Sequence, residues 1–190
     1  MFYRFILTIV KGLYKIIFRL KVEGSGNIPA EGPVIICSNH VSFTDAATVA
    51  VSCKRAVRFL AKRELFKFKI GNLFFRGLNA IPVDRASNDT GAYKAVLSAL
   101  EREKAVGIFI QGRFSDLDYG SAKSGAALFA LKSRAVLVPA FISGPRGPFS
   151  RIIIKYGGPV SFDEYAGKKI RAALLAEVTE KIVDEMERLR

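Results

Sequence analysis

The chain has 190 residues, half of them hydrophobic, with one histidine, two cysteines and no tryptophan. Such a chain is not disordered and fits one domain with a sizeable core, while two Cys and one His are too few for the usual zinc sets and nothing demands an oxidising compartment. A net charge of +13 and a pI near 10 imply an anionic partner, whether nucleic acid, acidic membrane, phosphorylated substrate or acidic protein; a mean hydropathy of +0.22 favours the membrane surface.

The first element, MFYRFILTIVKGLYKIIFRLK, is apolar but carries Arg4, Lys11, Lys15 and Arg19. These charges leave no run long enough to span a bilayer, and no small-residue cleavage site follows. At 100° per residue the four charges fall within about 20–100°, with Thr8 on the same stripe, and the rest of the circumference is apolar. A basic stripe opposite so broad an apolar arc predicts a helix lying in a membrane surface over residues 1–20, followed by one domain over 21–190. The alternative is a helix packed on the core with its charges in water.

Residues 21–33 are rich in Gly and Pro and read as strand, turn and loop. VIIC (34–37) is a short buried strand, SNHVSFT a loop, and DAATVAVSCK a helix with Thr44 or Asp45 near its N-cap. AVRFLAK (56–62) is a strand, 63–79 helix or loop, and AIPV (80–83) a strand. Residues 87–105 form an amphipathic helix with Ala95, Val96, Ala99 and Leu100 inward; VGIFIQG (106–112) is a strand entering a Gly turn; 124–134 is a helix. AVLVPAFISG (135–144) is a strand broken at Pro139, 151–160 a strand with a turn, and the chain closes on a helix with Ile170, Leu174, Val178, Ile182, Met186 and Leu189 as its stripe. Short apolar strands alternating with helices predict an α/β domain with a mostly parallel sheet covered on both faces. Sites in such sheets gather at the carboxyl ends of strands.

His40 stands there, just past VIIC, with Asp45 five residues on. A carboxylate at that spacing can fix the imidazole tautomer and stabilise the imidazolium formed on proton uptake. Ser38 and Ser42 are near, but neither lies in a G-x-S-x-G elbow. The pair therefore reads as a base with its orienter, acting on a nucleophile that the substrate supplies, a hydroxyl attacking an acyl or phosphoryl centre. The other reading is a structural hydrogen bond, and spacing alone favours it. IPVDR (81–85) puts Asp84 and Arg85 directly after a strand, and FIQGRFSD (109–116) puts a Gly turn and Arg113 directly after another. Arginine makes bidentate phosphate contacts, and a Gly turn lets backbone N–H groups approach an anion; the alternative for each arginine is a solvated loop charge.

These stretches together resemble the glycerolipid acyltransferases, whose bacterial members include the 1-acyl-sn-glycerol-3-phosphate acyltransferases. N-H-V-S-F-T-D (39–45) is similar to the family's N-H-x-x-x-x-D, G-L-N-A-I-P-V-D-R (77–85) to its second motif, F-I-Q-G-R-F-S (109–115) to F-P-E-G-T-R-S, and L-V-P-A-F-I-S-G (137–144) to its V-P strand. A-K-S-G-A-A-L-F-A-L-K (122–132) resembles a further family segment. The resemblance covers residues 30 to 145 and implies an acyltransferase domain over 21–190. It implies acyl transfer from the thioester of an acyl-carrier protein or acyl-CoA to the free hydroxyl of lysophosphatidic acid, giving phosphatidic acid. His40 would be the general base and Asp45 its orienter. Arg85 with Gln111, Gly112 and Arg113 would bind the acceptor's phosphate. Neither metal nor cofactor is implied, and the place is the cytoplasmic face of the cell membrane, as a peripheral protein. The third motif departs from the family: Gln111 stands where it has Glu, Arg113 where it has Thr, and Phe114 where it has Arg. That departure bears on acceptor identity. It keeps open another lysophospholipid or an amino- or glyco-lipid, and a non-catalytic anionic-lipid-binding protein.

Residues 54–76 carry eight Lys and Arg against Glu64, interleaved with Phe and Leu. This is either a solvated basic face over a core or a surface for anionic headgroups, the acidic carrier protein or both. Single-stranded nucleic acid ranks lower, since no nucleic-acid motif accompanies it.

Overall fold

The structure, a computed structural model, describes residues 2–84, 89–111, 124–145, 147 and 149–190. Seven strands form one sheet: β1 (Arg19–Glu23), β2 (Val34–Ser38), β3 (Val57–Lys62), β4 (Ile81–Val83), β5 (Ala105–Phe109), β6 (Val136–Ser143) and β7 (Arg151–Tyr156), in the order β1-β7-β6-β2-β5-β3-β4. Every neighbouring pair is parallel except β6–β7, so the mostly parallel α/β reading holds.

Burial follows the strand period of two. Ile35, Cys37, Val106 and Leu137 face a core shared with α4 (Thr90–Glu101), α5 (Gly125–Ser133) and α6 (Ala172–Glu187). Val34, Ile36, Val138 and Ala140 face the other core, with Val49 and Cys53 at α2 (Asp45–Ser52) and Phe18 at the end of α1 (Phe2–Ile17). The two cysteines are therefore buried on opposite faces of the sheet, and burial pushes the Cys37 thiol up to about 12. Residues 63–79 resolve into a 3-10 turn, Arg63–Phe66, and a helix α3 (Lys69–Gly77).

Two local expectations fail for physical reasons. Pro139 does not break its strand. The neighbouring N–H of Leu137 points to Val160, and Pro139 sits two residues on, where its missing donor faces the same side. There the chain at Gly157 has already left the β7 ladder, and Pro139 contributes only its carbonyl, to the Gly157 N–H. Ala95 is exposed, and Ala92 takes the inner place beside Val96, Ala99 and Leu100. The stripe runs 92, 96, 99, 100, the ordinary helical spacing, once the helix starts at Thr90.

That start is set by Asp89. Its carboxylate accepts the Ala92 N–H as N-cap, accepts the Asp84 N–H just beyond β4, and pairs with Arg63 just beyond β3 at 2.5 Å. These donors, backbone first, hold the carboxyl well below its usual 3.8. A group depressed in the folded state stabilises above its unfolded value and loses that contribution as pH falls through the folded one. Asp89→Ala is expected to lower the melting temperature at neutral pH, and the gap to the unaltered chain should close as the solution is acidified below the ordinary aspartate range. Calorimetric melts across that range check it.

Candidate active site

The loop after β2 is short and tightly tied. Asn39 forms a two-way pair with the Ile142 backbone on β6: its Nδ2 donates to the Ile142 carbonyl at 2.8 Å, and the Ile142 N–H donates to its Oδ1 at 2.7 Å. On the other side the His40 N–H donates to Gln111 Oε1 at 2.8 Å, just past β5. Since β2 lies between β6 and β5, these side chains extend the sheet's own bonding beyond its strands. Both Asn39 and Gln111 are buried, where leaving such groups unpaired costs about 1–3 kcal/mol each.

His40 is itself buried, and its Nδ1 lies 3.1 Å from Asp45 Oδ2. The same oxygen accepts the N–H groups of Val41 and Ser42, each at 2.7 Å. Asp45 has no solvent exposure and opens α2, so its charge also meets the positive end of that helix. Thr44 is the N-cap residue but makes no side-chain cap bond; the carboxylate of Asp45 organises the turn instead. A carboxylate only accepts, so Nδ1 carries the proton and Nε2 is left as the basic nitrogen.

The imidazole stacks on the Phe109 ring, centroids 4.0 Å apart and planes 13° from parallel. Phe59 stacks behind Phe109 at 5.8 Å. Phe59 faces Gly107 across the β3–β5 ladder, and a side chain at Gly107 would come within 2.2 Å of the Phe59 ring. The glycine thus makes room for one end of a three-ring stack whose other end is His40. Stacking fixes the imidazole plane.

The carboxyl ends of the parallel strands share a rim, and His40 and Gln111 stand there two residues past β2 and β5. The structure brings His40, Asp45 and Gln111 together. Arg85, Gly112 and Arg113 lie outside the described residues. Asn39, Phe109 with Phe59, and Tyr14 were not singled out from the sequence. The Tyr14 hydroxyl of α1 donates to the Thr44 carbonyl at 2.7 Å and lies 3.1 Å from Thr48 Oγ1, bonding α1 to the helix that carries Asp45. Asn39 had a signal, an amide at the end of a wholly apolar strand, where both its groups need buried partners. Among the described residues no group of three or more His, Cys, Asp or Glu could hold a metal ion.

A family model described as Acyltransferase matches residues 19–143. The chain belongs to the acyltransferase family. This acyltransferase is 29% identical to the 1-acyl-sn-glycerol-3-phosphate acyltransferase of Bacillus subtilis, over 97% of this chain and 96% of that one. It is 27% identical to the enzyme of the same name from Streptococcus pneumoniae, over 82% of this chain and 60% of the relative. Its fold is similar to the crystal structure of the 1-acyl-sn-glycerophosphate acyltransferase PlsC from Thermotoga maritima, with a TM-score of 0.74 and 25% identity over 98% of this chain and 80% of that one.

Gly107→Ala tests the ring stack. The added methyl is expected to cost about 1–3 kcal/mol as overpacking, read as a lower urea midpoint, and to reduce turnover by displacing Phe59 and Phe109. Adding Phe59→Leu should recover part of the stability.

Proposed function

We propose that this acyltransferase moves a fatty acyl group from an acyl thioester to the free hydroxyl of lysophosphatidic acid, giving phosphatidic acid. The observation that carries the reading is the buried pair of His40 Nδ1 and Asp45 Oδ2 at 3.1 Å, on the carboxyl rim of a parallel sheet. The names of the relatives supply the acceptor class. His40 Nε2 takes the hydroxyl proton as the oxygen attacks the thioester carbonyl. The tetrahedral centre collapses with loss of the C–S bond, and the imidazolium returns the proton to the departing thiolate. Asp45 stabilises the imidazolium between those steps. Arg85, Gly112 and Arg113 bind the acceptor's phosphate, with Gln111 holding the start of that turn against His40. Strand spacing supports this division: β4 stands three places from β2, roughly 14 Å, a gap that a long arginine side chain and a glycerol phosphate can share. The donor is acyl-carrier protein or acyl-CoA, both anionic, in keeping with the +13 charge.

QGRF at 111–114, where the family has E-G-T-R, supports a second reading with another lysophospholipid or an amino- or glyco-lipid as acceptor. An acceptor panel run with both donors separates the two. Lysophosphatidic acid should give product, and His40→Ala should lower kcat about 10²–10⁴-fold while circular dichroism shows the fold kept, with Asp45→Asn intermediate. Full turnover in His40→Ala would end the mechanism.

The same reading places the chain on the cytoplasmic face of the membrane, held by α1. Among the described residues no helix is long and apolar enough to cross a bilayer. Instead, α1 divides its apolar arc. Ile6 and Tyr14 are buried against the domain, while Phe5, Ile9, Leu13 and Ile16 are 48–72% exposed. Those four fall within about 140–220° on the helical wheel, between the packed face and the basic stripe. Deleting α1 would also remove the Tyr14 bonds to α2, so point changes are the cleaner test. Leu13→Glu with Ile16→Glu should weaken partitioning onto phosphatidylglycerol vesicles about tenfold or more, measured by co-sedimentation, with unchanged circular dichroism. Unaltered partitioning would refute the anchor.

A further inference from the structure

The helix α3 buries none of its residues. Ile70 is 85% exposed, Leu73 64%, Phe74 40%, and Phe68, just before the helix, 75%. A surface helix of a globular domain turns its apolar stripe inward; this one turns it outward. Its back is held instead. Phe75 meets Phe66 at 5.6 Å, and Gly71 lies so close to the Leu65 carbonyl that a Cβ there would stand 2.3 Å from the oxygen. With Gly71 and Phe75 fixed on the preceding turn, Ile70, Leu73 and Phe74 occupy about 100° of the opposite surface. The exposed cations Lys67, Lys69 and Arg76 flank them. A contiguous apolar patch rimmed by charge marks an interaction surface.

Its neighbour indicates which kind. The helix α1 touches α3, and each helix turns large apolar side chains outward. We infer that α3, with Phe68, is a second membrane-inserting face, which enters an anionic phospholipid bilayer beside α1 so that the protein docks on two helices. Large apolar side chains projecting from two adjoining helices match an extended apolar medium. An acidic carrier protein would match the cations and leave those side chains in water. The flanking Lys and Arg suit anionic headgroups at the level where a shallowly inserted helix meets them. This goes beyond the anchor at α1, which needs nothing of α3.

The chain has no tryptophan, so Ile70→Trp or Leu73→Trp carries the sole indole, excited at wavelengths that tyrosine does not absorb. With vesicles of phosphatidylglycerol bearing brominated acyl chains, the indole at position 70 or 73 is expected to shift to the blue and lose intensity. Phosphatidylcholine vesicles should give neither change, and Glu180→Trp, at an exposed position of α6, should not be quenched by either. Ile70→Ser with Leu73→Ser should lower partitioning about tenfold at unchanged melting temperature. Unshifted, unquenched emission while the protein sediments with vesicles would overturn the inference. So would a shift produced by acyl-carrier protein without quenching by the brominated lipid, which would make α3 a protein-docking face. The quenching should be identical in a His40→Ala background, so loss of the catalytic reading and loss of this one are told apart.

Discussion

One carboxylate oxygen organises this molecule's working end. Asp45 Oδ2 gathers the His40 ring and the N–H groups of Val41 and Ser42, inside the protein. Hydrogen bonds to a charged group contribute about 1.5–3 kcal/mol each, and more is lost when one partner is removed and the other stays buried. The arrangement works because β2 is an interior strand. Asn39 ties the loop to β6 and Gln111 ties it to β5, so the residue between them is held from both sides before Asp45 fixes its ring. A histidine on an edge strand would lack one of those two holds.

Much of this was legible in the sequence because two rules act locally. The strand and helix periods separate inward from outward residues, and parallel strands place their carboxyl ends on one rim. Together they put His40, Arg85 and Arg113 past the ends of three strands. What was not legible depends on neighbours distant in the chain. Phe109 stacks on His40 only because β5 adjoins β2, and Phe59 reaches it only because Gly107 faces it across a ladder. Pro139 looks like a break until its carbonyl is seen bonded where β7 has ended. In α1 the wheel shows one broad apolar arc, whereas packing on α2 and α3 divides it into a buried half and an exposed half. Nothing in residues 1–20 marks that line, since Tyr14 and Leu13 differ in burial through contacts with Thr44 and Thr48.

That division matters for how charge and apolarity coexist in the chain. A charge of +13 keeps a protein soluble, and the mean hydropathy of +0.22 opposes it. The two are reconciled if part of the apolar surface has a partner other than water. The exposed arcs of α1 and α3 supply such a surface, and the cations beside them supply its long-range attraction, which salt screens beyond about 10 Å. Tyr14 bonds α1 to the helix that begins with Asp45.

The surroundings of His40 also bear on the order of bond making. An acyl-enzyme route needs a protein nucleophile beside the base. Ser38 Oγ donates to the Asn39 carbonyl, and Ser42 Oγ is shared with Thr44 through both its hydroxyl and its N–H. The two thiols lie inside the cores, and burial holds Cys37 far above the range in which a thiolate forms. Among the described residues, Ser38, Ser42 and the two thiols are thus each hydrogen-bonded or buried, while the Asp45 carboxylate holds His40 in the tautomer with Nδ1 protonated. On the proposed mechanism the attacking hydroxyl arrives with the substrate. What β5, β6, α2 and the Phe109 ring accomplish together is the positioning of one imidazole.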